Sequence, residues 1–521
     1  MKLSDLIKSV TPVRINDNNM DPEITSLHYR AETVLPGGLF FAVSGHVVDG
    51  HSFIDEALAK GASAIIAQKP VQKDSVIIEV ENTRKALSAI SARFYNEPSR
   101  RLNVTGITGT NGKTTITYLI ESILNAAGVR VGVIGTVNYR YSGKIFKNPM
   151  TTPESMDLQK ILSEMVNEGV THVVLEISSH ALDLNRVDHC LLNIGVFTNL
   201  SQDHLDYHRD MESYWACKKK MFYECLTTGA KSGEAKAVIN CCNEYGRLLA
   251  ENLAEQFDEL SVMSLGRTGN EGSSGNENIN LVDAEFGLNG TTGRISTPVG
   301  DVTFKSTLVG KYNLENILCA AGVGIVLGLS VDEIKAGIEN FSCVPGRLER
   351  IENNTGRFVF VDYAHTPDAL ENVLTAVGDV TNGRIISIFG CGGDRDMEKR
   401  PLMGEIAGRL SDLTVITSDN PRTEKPETII SQILNGTQNV SGYEYNNENI
   451  STGFEEKGYL VEPDRRTAIH MGIMVSEPGD TVLIAGKGHE TYQLVGKESL
   501  DFDDRVEAEK VLAGLEIAGS A

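Results

Sequence analysis

The sequence is poor in several features that define whole classes of protein. Its 8 cysteines show no C-x-x-C spacing, so neither a zinc site nor a disulfide framework is indicated. No apolar run is long enough to span a bilayer, and the first residues lack the apolar stretch of a signal peptide. Basic side chains number 48 against 70 acidic ones, and the net charge of −22 disfavours nucleic acid or an anionic membrane as the main partner. We therefore expect a cytoplasmic protein with no nucleic-acid partner and no membrane insertion, and we expect a monomer.

The chain has the composition of a soluble globular protein with more than one hydrophobic core. Its 521 residues, 41% hydrophobic and 23% charged, predict two to four domains. Strand and helix patterns alternate from about residue 102 onwards, which predicts an α/β fold with a mostly parallel sheet. Residues 264–279 are rich in glycine, serine and asparagine and are interpreted as a flexible surface loop.

A glycine-rich turn between a β-type stretch and an apolar helical pattern organises the sequence at residues 104–115. Glycines let backbone N–H groups close on phosphate oxygens, and a helix N-terminus adds partial positive charge. Lys113 can reach the β- and γ-phosphates, and a threonine hydroxyl can hold Mg²⁺. The spacing departs from the common P-loop, because Ile107 stands five residues before Gly112. The stretch predicts binding of ATP or GTP.

Two further motifs in the middle of the chain follow predicted strands. The carboxylate of Glu176 is a typical ligand for a hard cation such as Mg²⁺, and the imidazole of His204 is a borderline one. Both residues follow predicted strands, and small molecules bind to parallel sheets beyond the carboxyl ends of the strands. The competing interpretations are a carboxylate that caps the next turn and an isolated structural histidine. Lys218, Lys219 and Lys220 lie in a helical pattern and by residue type indicate only a solvated face.

Four strands in the last third each run into a polar motif, which predicts a second ligand-binding face. The motifs occupy residues 362–367, 390–396, 419–422 and 486–490. Arg395 and Arg422 can clamp carboxylates through paired hydrogen bonds, and Asp419 and Glu490 can hold ammonium groups. Together they suit a zwitterionic, amino-acid-like ligand, although each taken singly is more often part of a surface salt bridge.

With these motifs, the chain resembles the Mur ligases of peptidoglycan synthesis over nearly its whole length. The motifs occur in family order at residues 39–42, 106–115, 151–153, 176–182, 203–208, 310–316, 363–367 and 390–396. The resemblance implies three domains, a UDP-substrate-binding domain at 1–100, a central ATP-binding domain at 101–345 and a Rossmann-like amino-acid-binding domain at 346–521. It also implies an ATP-dependent ligase that forms an amide bond through an acyl phosphate.

The resemblance assigns roles to particular residues. The implied catalytic residues are Lys113, Glu176, His204 and Lys218. The implied ATP contacts are Gly109, Thr110, Asn111, Gly112, Lys113, Thr114, Thr115, Asn316, Arg347, Asp362 and His365. Mg²⁺ is implied near Thr114, Glu176 and His204, and Lys218 matches a lysine that relatives carbamylate with CO₂ to N6-carboxylysine. The implied contacts to UDP-N-acetylmuramoyl-dipeptide are His46, Thr151, Thr152, Ser178 and Arg186. The implied contacts to the incoming amino acid are Arg395, Asp419, Asn420, Pro421, Arg422, Gly486 and Glu490.

The motif at 419–422 resembles that of the branch that adds meso-2,6-diaminopimelate, because lysine-adding relatives lack the arginine. The physical argument agrees, since diaminopimelate carries a second carboxylate that would be costly to bury without a cation. Three alternatives stay open: the same ligase using L-lysine, a ligase like folylpolyglutamate synthase, and a non-catalytic nucleotide-binding protein. Residues 28–33 depart from the family's Asp-Ser-Arg pattern, which puts the uridine contact in doubt.

Overall fold

The computed structural model describes residues 1–16, 20–45, 48–226, 235–257, 260–267, 278–446, 448–450 and 453–520. Strands and helices alternate along the chain, so the α/β prediction is confirmed. The chain forms two compact units. The first comprises Met1–Gly109, Ala127–Thr198 and His208–Ser264, and the second comprises Thr110–Ala126, Asn199–Tyr207 and Leu265–Ala521. Within the described ranges, no helix combines the length and apolarity needed to cross a membrane.

The first unit begins with a five-stranded sheet that is parallel apart from one edge strand. In spatial order its strands are Pro12–Asn16, Ile77–Val80, Ala64–Ala67, Gly38–Ala42 and Ser26–His28. Its helices are Leu3–Leu6, Ile54–Ala59 and Thr83–Phe94, with 3-10 turns at Ile7–Ser9, Ala31–Thr33, Gly50–Phe53 and Pro98–Arg101. Strand Gly38–Ala42 is buried on both faces, as its continuous apolar run predicts.

A second sheet in the first unit carries the strand that ends at Glu176. Its strands in spatial order are Lys236–Asn240, Ile194–Phe197, Asn103–Thr108, His172–Glu176, Val131–Ile134, Tyr139–Tyr141 and Lys144–Phe146. The first five are parallel, and the last two form an antiparallel extension. The accompanying helices are Ser155–Asn167, Ser179–Asp183, Met211–Lys220 and Glu244–Gln256, with a π-helical turn at Met221–Leu226. Parallel pairing places the ends of these strands on one edge of the sheet.

The second unit contains the helix that follows the glycine-rich turn. This helix, Lys113–Ala126, packs against Lys311–Val326 and Val331–Asn340. The approach is close, because a Cβ on Gly337 would stand 2.3 Å from the Cα of Ile123. The strands Asn278–Gly287, Gly290–Ser296 and Val302–Ser306 form an antiparallel meander. The short helix Leu205–His208 and the strand Ser261–Arg267 each include a point at which the chain passes from one unit to the other.

The second unit ends in a seven-stranded sheet between two hydrophobic cores. In spatial order its strands are Glu349–Ile351, Phe358–Asp362, Thr481–Ala485, Ile385–Phe389, Leu413–Ile416, Gly458–Val461 and Tyr443–Tyr445. All but the first pair in parallel. The helices are Pro367–Gly378, Lys399–Leu410, Pro426–Thr437, Arg465–Met474 and Asp504–Ser520, and Tyr492–Val495 pairs with Glu498–Asp501 in a hairpin. The four strands predicted here are confirmed, and their carboxyl ends bring the four polar motifs to one edge.

Candidate active site

The predicted phosphate loop leads into the helix Lys113–Ala126 and is held in shape by Asn199. Thr110 N donates to Asn199 O and Asn111 N to Asn199 Oδ1, each at 2.9 Å. Gly112 has a φ of +87°, and a Cβ there would stand 2.3 Å from Asn316 Oδ1. Only glycine suits that backbone and that approach. The structure therefore places the predicted contact Asn316 directly against the loop.

A carboxylate that sequence reasoning missed lies beside the same loop. Asn111 Nδ2 and Ser201 Oγ both donate to Asp368 Oδ2, at 3.1 and 2.9 Å. Asp368 lies in the first turn of the helix Pro367–Gly378, directly after the predicted motif at 363–367. Lys113 Nζ donates to Thr110 O at 2.7 Å. The loop is thus linked to the beginning of that helix by side-chain hydrogen bonds.

The predicted contacts Arg347, Asp362 and His365 gather around Tyr363. The Arg347 guanidinium lies 4.5 Å from the centre of the Tyr363 ring, and the His365 ring centre lies 4.6 Å from it. Asp362 Oδ2 accepts a hydrogen bond from Leu348 N at 2.6 Å. Burial raises the pKa of the Asp362 carboxyl, and the nearby Arg347 opposes that shift. An aromatic ring, a cation and a buried carboxyl are thus assembled within the second unit.

Glu176 in the first unit is buried and oriented by a neighbouring strand end. Its Oε1 accepts from Thr136 N at 3.1 Å and its Oε2 from Thr136 Oγ1 at 2.8 Å. A Cβ on Gly135 would stand 2.2 Å from Glu176 Oε1, so a residue without a side chain is required there. Thr151 Oγ1 lies 3.1 Å from Thr136 Oγ1 and completes this group. The carboxylate is therefore oriented by Thr136, a residue from the end of a neighbouring strand.

Three other predicted substrate residues lie around the backbone of Glu176. Thr152 Oγ1 donates to Glu176 O at 2.8 Å and accepts from Ser178 N at 3.1 Å. Arg186 Nη1 donates to Thr152 O at 3.1 Å, and Arg186 Nε lies 3.0 Å from Glu154 Oε1. The structure therefore brings Thr151, Thr152, Ser178 and Arg186 together with Glu176. His46 lies outside the described residues.

Lys218 corrects the interpretation drawn from residue type alone. It lies on the helix Met211–Lys220 with only 1% of its surface exposed, so it belongs to no solvated face. Its Nζ donates to Gly109 O at 2.8 Å and lies 4.5 Å from the centre of the Tyr214 ring. This lysine is directed towards the beginning of the glycine-rich turn within the first unit.

The remaining predicted metal residues differ in exposure. Thr114 is buried at the beginning of its helix. His204 is exposed, has a φ of +55°, and places Nε2 3.5 Å from Asp203 Oδ2. Among the described residues, no three His, Cys, Asp or Glu side chains cluster as a metal site would require.

The two arginines predicted to bind carboxylate flank one glycine. A Cβ on Gly392 would stand 2.9 Å from Arg422 Nη1 and 3.7 Å from Arg395 Cγ. Arg422 Nη1 donates to Gly393 O at 2.7 Å, and a Cβ on Gly393 would meet Pro421 O at 1.9 Å. The motifs at 390–396 and 419–422 thus pack directly on each other, and the Arg422 guanidinium and the stem of the Arg395 side chain lie at their junction.

The acidic half of the same face is arranged around a lysine that sequence reasoning missed. Lys487 Nζ lies 3.0 Å from Asn420 Oδ1, 3.3 Å from Glu490 Oε2 and 3.8 Å from Asp419 Oδ1. Gly486 has a φ of +119°, and a Cβ there would stand 2.4 Å from Asp419 Oδ2. The signal available in the sequence was a lysine between two glycines directly after an apolar strand.

A buried ion pair holds the two strand ends that carry this acidic half. Arg465 and Asp504 are completely buried and bonded through two nitrogens, each 2.7 Å from a carboxylate oxygen. Arg465 also donates to Ser418 O at 3.3 Å and to Ala485 O at 3.0 Å. Asp419 and Gly486 are the next residues along the chain, so each directly follows a residue whose carbonyl oxygen is held by Arg465.

Comparison with protein-family models matches three segments of the chain. Residues 107–324 match the Mur ligase middle domain, residues 346–488 the Mur ligase, glutamate ligase domain, and residues 23–95 the Mur ligase family, catalytic domain. The matched segments follow the order expected from the motifs.

Curated relatives match nearly the whole chain. A UDP-N-acetylmuramoyl-L-alanyl-D-glutamate–2,6-diaminopimelate ligase of Geobacter metallireducens is 46% identical over 512 residues, which covers 97% of each chain. The protein of the same name from Bacillus cereus is 38% identical and covers 99% of each chain. A solved structure of an identically named ligase is 28% identical, with a TM-score of 0.69 over 99% of this chain and 100% of that one. The MurF ligase of Thermotoga maritima, solved with ADP, matches with a TM-score of 0.59 at 20% identity, over 95% of this chain and 98% of that one, which shows the fold alone.

Proposed function

Because the chain belongs to the Mur ligase family, we propose that it joins meso-2,6-diaminopimelate to UDP-N-acetylmuramoyl-L-alanyl-D-glutamate at the expense of ATP. Relatives with that name match this chain at up to 46% identity over nearly its full length. The observation that carries the proposal is the face formed by the last sheet. It sets Arg395 and Arg422 at one junction and the carboxylates Asp419 and Glu490 at another.

That face suits an amino acid with a second zwitterionic end. Two guanidinium groups can pair a carboxylate, with Arg422 able to use both of its terminal nitrogens. Two carboxylates can hold an ammonium group, as Asp419 and Glu490 already hold the ammonium of Lys487. L-Lysine has the distal ammonium but no distal carboxylate, so it would leave Arg422 without an anionic partner in the site.

We assign the nucleotide to the phosphate loop and to the cluster around Tyr363. Backbone N–H groups of residues 109–115 and the ammonium of Lys113 would hold the phosphates, with Asn316 beside the loop. Arg347, Asp362 and His365 would contact the rest of ATP, and the aromatic and cationic character of that cluster supports this role.

The residues proposed for magnesium have suitable chemistry for that ion. Mg²⁺ prefers hard oxygen ligands and usually keeps several waters and substrate phosphates. The hydroxyl of Thr114 and the oriented carboxylate of Glu176 are such ligands, and His204 would be the weaker third. When bound, the ion would neutralise developing negative charge on the phosphates.

The buried position of Lys218 supports carbamylation. A carbamate would convert its amine into a carboxylate-like group with oxygens fit for a hard cation. The Nζ atom is already fixed by Gly109 O and by the Tyr214 ring, so the modified group would have limited freedom.

The muramoyl dipeptide is assigned to the group around Glu176. Thr151, Ser178 and Arg186 offer hydroxyl and guanidinium groups, whereas the completely buried Thr152 orients its neighbours. His46 remains a predicted contact. The domain bounds 1–100, 101–345 and 346–521 are part of this proposal, and they are supported because the strands of each sheet lie entirely within one of those ranges.

The reaction follows from these assignments. The terminal carboxylate of the dipeptide attacks the γ-phosphorus of ATP and releases ADP, while Lys113 balances the charge on the transferred phosphoryl group. The free amine of diaminopimelate then attacks the acyl carbon, and phosphate leaves as the amide bond forms. Exclusion of water preserves the acyl phosphate between the two steps.

The direct test is phosphate release in the presence of ATP, Mg²⁺ and UDP-N-acetylmuramoyl-L-alanyl-D-glutamate. Diaminopimelate and L-lysine are supplied separately, and Lys113→Ala is the inactive control. We expect turnover with diaminopimelate, little with lysine, and loss of about 1,000-fold or more in the control. Preference for lysine would overturn the role of Arg422. Turnover with a folate and glutamate would overturn the proposed substrates, and no turnover with any acceptor would overturn the proposed activity.

A further inference from the structure

Lys487 is, with Lys218, one of the two fully buried lysines in the part of the chain that the structure describes, and none of the roles assigned above uses Lys487. Its ammonium is surrounded by an amide oxygen and two carboxylates from Asn420, Glu490 and Asp419. Its Nζ also lies 5.7 Å from the centre of the Tyr492 ring. Burial of a cation is costly unless it is paired and hydrogen-bonded, and here both conditions are met.

The hydrogen bonds divide the carboxylate atoms into bound and available ones. Glu490 Oε2 accepts from Lys487 and, at 2.8 Å, from Asn420 Nδ2. Asn420 Oδ1 accepts from Lys487 and, at 2.9 Å, from Leu494 N. Glu490 and Asp419 retain 17% and 9% side-chain exposure, so a ligand can still approach them. Lys487 therefore fixes Glu490 through Oε2 and pairs with Oδ1 of Asp419, while the exposed parts of both carboxylates remain accessible to a ligand.

The charges of this group determine what it can bind. Two carboxylates and one ammonium leave a single negative charge, which one further ammonium would neutralise. Without Lys487 the same two carboxylates would carry two negative charges in a largely buried site. One of them would then take up a proton or rotate towards solvent.

We propose that Lys487 is a positioning and specificity-determining residue for the incoming amino acid. It sets the orientation of Asp419 and Glu490. Its positive charge also reduces the net charge of the group from −2 to −1. The subsite thereby takes one ammonium group, the one at the distal centre of a diamino dicarboxylic acid, while Arg422 takes the adjacent carboxylate. This inference rests on the proposed function and names the residue that sets selectivity for the distal amine.

The test compares Lys487→Met with the wild-type enzyme in phosphate-release kinetics. We expect the KM for diaminopimelate to rise by about 30-fold or more, because the ammonium-binding carboxylates lose their fixed partner. The KM for ATP should change by less than about 2-fold, since the phosphate loop is held by other residues. Lys457→Met is the matched control, because its ammonium is exposed and donates to the carbonyl Arg409 O rather than to a carboxylate in the described part of the chain, and it should behave as wild type.

A second acceptor separates positioning from simple packing. 2-Aminopimelate has the same chain and carboxylates but lacks the distal amine. We expect wild-type enzyme to favour diaminopimelate over it by about 100-fold and Lys487→Met to lose at least about ten-fold of that preference. A purely structural role would lower turnover of both acceptors equally.

A charge-balanced variant covers the case in which Lys487→Met does not fold. Lys487→Met combined with Asp419→Asn again leaves one negative charge, that of Glu490, instead of the two that Lys487→Met alone leaves. We expect this double variant to fold and to recover about 3-fold or more of the lost preference for diaminopimelate, whereas independent sites would add their losses. A double variant that folds without this recovery overturns the proposal.

The outcomes distinguish this inference from the proposed function. Absence of wild-type turnover with any diamino acid would overturn both. Wild-type turnover combined with an unchanged KM and an unchanged preference in Lys487→Met would overturn the role of Lys487 alone. If the wild type uses L-lysine, the same comparison with lysine against 2-aminohexanoate gives the same decision.

Discussion

The phosphate loop and the amino-acid face lie in the same unit but hold their polar atoms in different ways. Thr110 and Asn111 are bonded mainly by neutral groups, those of Asn199 and Ser201. The amino-acid face is built on buried charges, with Lys487 between carboxylates and Arg465 bonded to Asp504. A neutral hydrogen bond contributes about 1 kcal/mol, whereas breaking a buried ion pair costs about 3–5 kcal/mol.

The difference matches what each region has to recognise. A phosphate group brings its own charge to backbone N–H groups, so the loop needs a shape more than it needs fixed charges. An amino acid presents positive and negative groups a short distance apart, so its site must hold charges of both signs in place. Substitutions should therefore have large effects on the amino-acid face and, Lys113 apart, small effects on the neutral hydrogen bonds that shape the loop.

The largest expected effect comes from the buried pair beneath the amino-acid face. Arg465→Met leaves Asp504 buried without its cation, and we expect the free energy of unfolding to fall by about 3–5 kcal/mol. Arg466→Met is the matched control on the same helix, because Arg466 is exposed and its partner Glu507 keeps a second cation, Lys510, at 2.8 Å, and it should cost less than about 1 kcal/mol. Urea unfolding of both variants measures the difference. Equal losses would contradict the distinction drawn between the two regions.

The next effect concerns selectivity at the junction around Gly392. We expect Arg422→Met to lower kcat/KM for diaminopimelate by about 100-fold, because the distal carboxylate loses its cation. Loss of the bond to Gly393 O would affect every acceptor, so the specific signal is the ratio of diaminopimelate to L-lysine turnover. Arg395→Met should change that ratio less, since Arg395 is exposed. If the ratio of diaminopimelate to L-lysine turnover is unchanged in Arg422→Met, this arginine does not bind the distal carboxylate of diaminopimelate.

Local patterns in the sequence were sufficient to predict the strands and loops that carry both regions. The helix that begins at Lys113 and the strands that end at Asp362 and Ala485 are confirmed. Their signals are short apolar runs that end in glycine turns, which depend only on neighbouring residues. The roles of the site residues and the domain bounds remain predictions.

Side-chain burial could not be predicted in the same way. Lys218, Lys219 and Lys220 point about 100° apart around their helix, so tertiary packing decides which one is buried. Lys487 became notable only through its contacts with residues of the 419–422 motif.

Two antiparallel regions were also missed. Residues 264–267 and 278–279, predicted as loop, belong to strands, while residues 268–277 lie outside the described ranges. The meander from Asn278 to Ser306 and the extension Tyr139–Phe146 lack strong apolar runs. Their strands are stabilised by partners that a single window of sequence does not contain.

A pH-dependent effect of intermediate size is expected beside the amino-acid face. Arg400 lies within 2.9 Å of both carboxylate oxygens of Glu424 and lowers the pKa of that carboxyl to about 2. A depressed pKa stabilises the fold above the ordinary value near 4.5, and this stability is lost as the pH falls towards 2. We expect Glu424→Gln to cost about 2 kcal/mol at about pH 6 and less at about pH 3.

The measurement is the difference in unfolding free energy between wild type and Glu424→Gln across that pH range. Glu427→Gln is the control, because Glu427 is exposed on the following helix and should show no such dependence. A difference that stays constant as the pH falls would contradict the assigned pKa shift. A difference that narrows would place Glu424 among the fixed charges of the amino-acid face.

The smallest expected effect lies on the phosphate loop. Ser201→Ala removes the hydrogen bond to Asp368 Oδ2 and the one from Asn111 Nδ2, at 2.9 and 3.3 Å. Because these bonds are replaceable by water, we expect a rise in the KM for ATP of about 5-fold, equivalent to about 1 kcal/mol. The KM for the amino acid should not change, and Ser431→Ala on an exposed helix should alter neither constant. A loss as large as that in Arg422→Met would mean that the loop, too, depends on a fixed charge, namely Asp368.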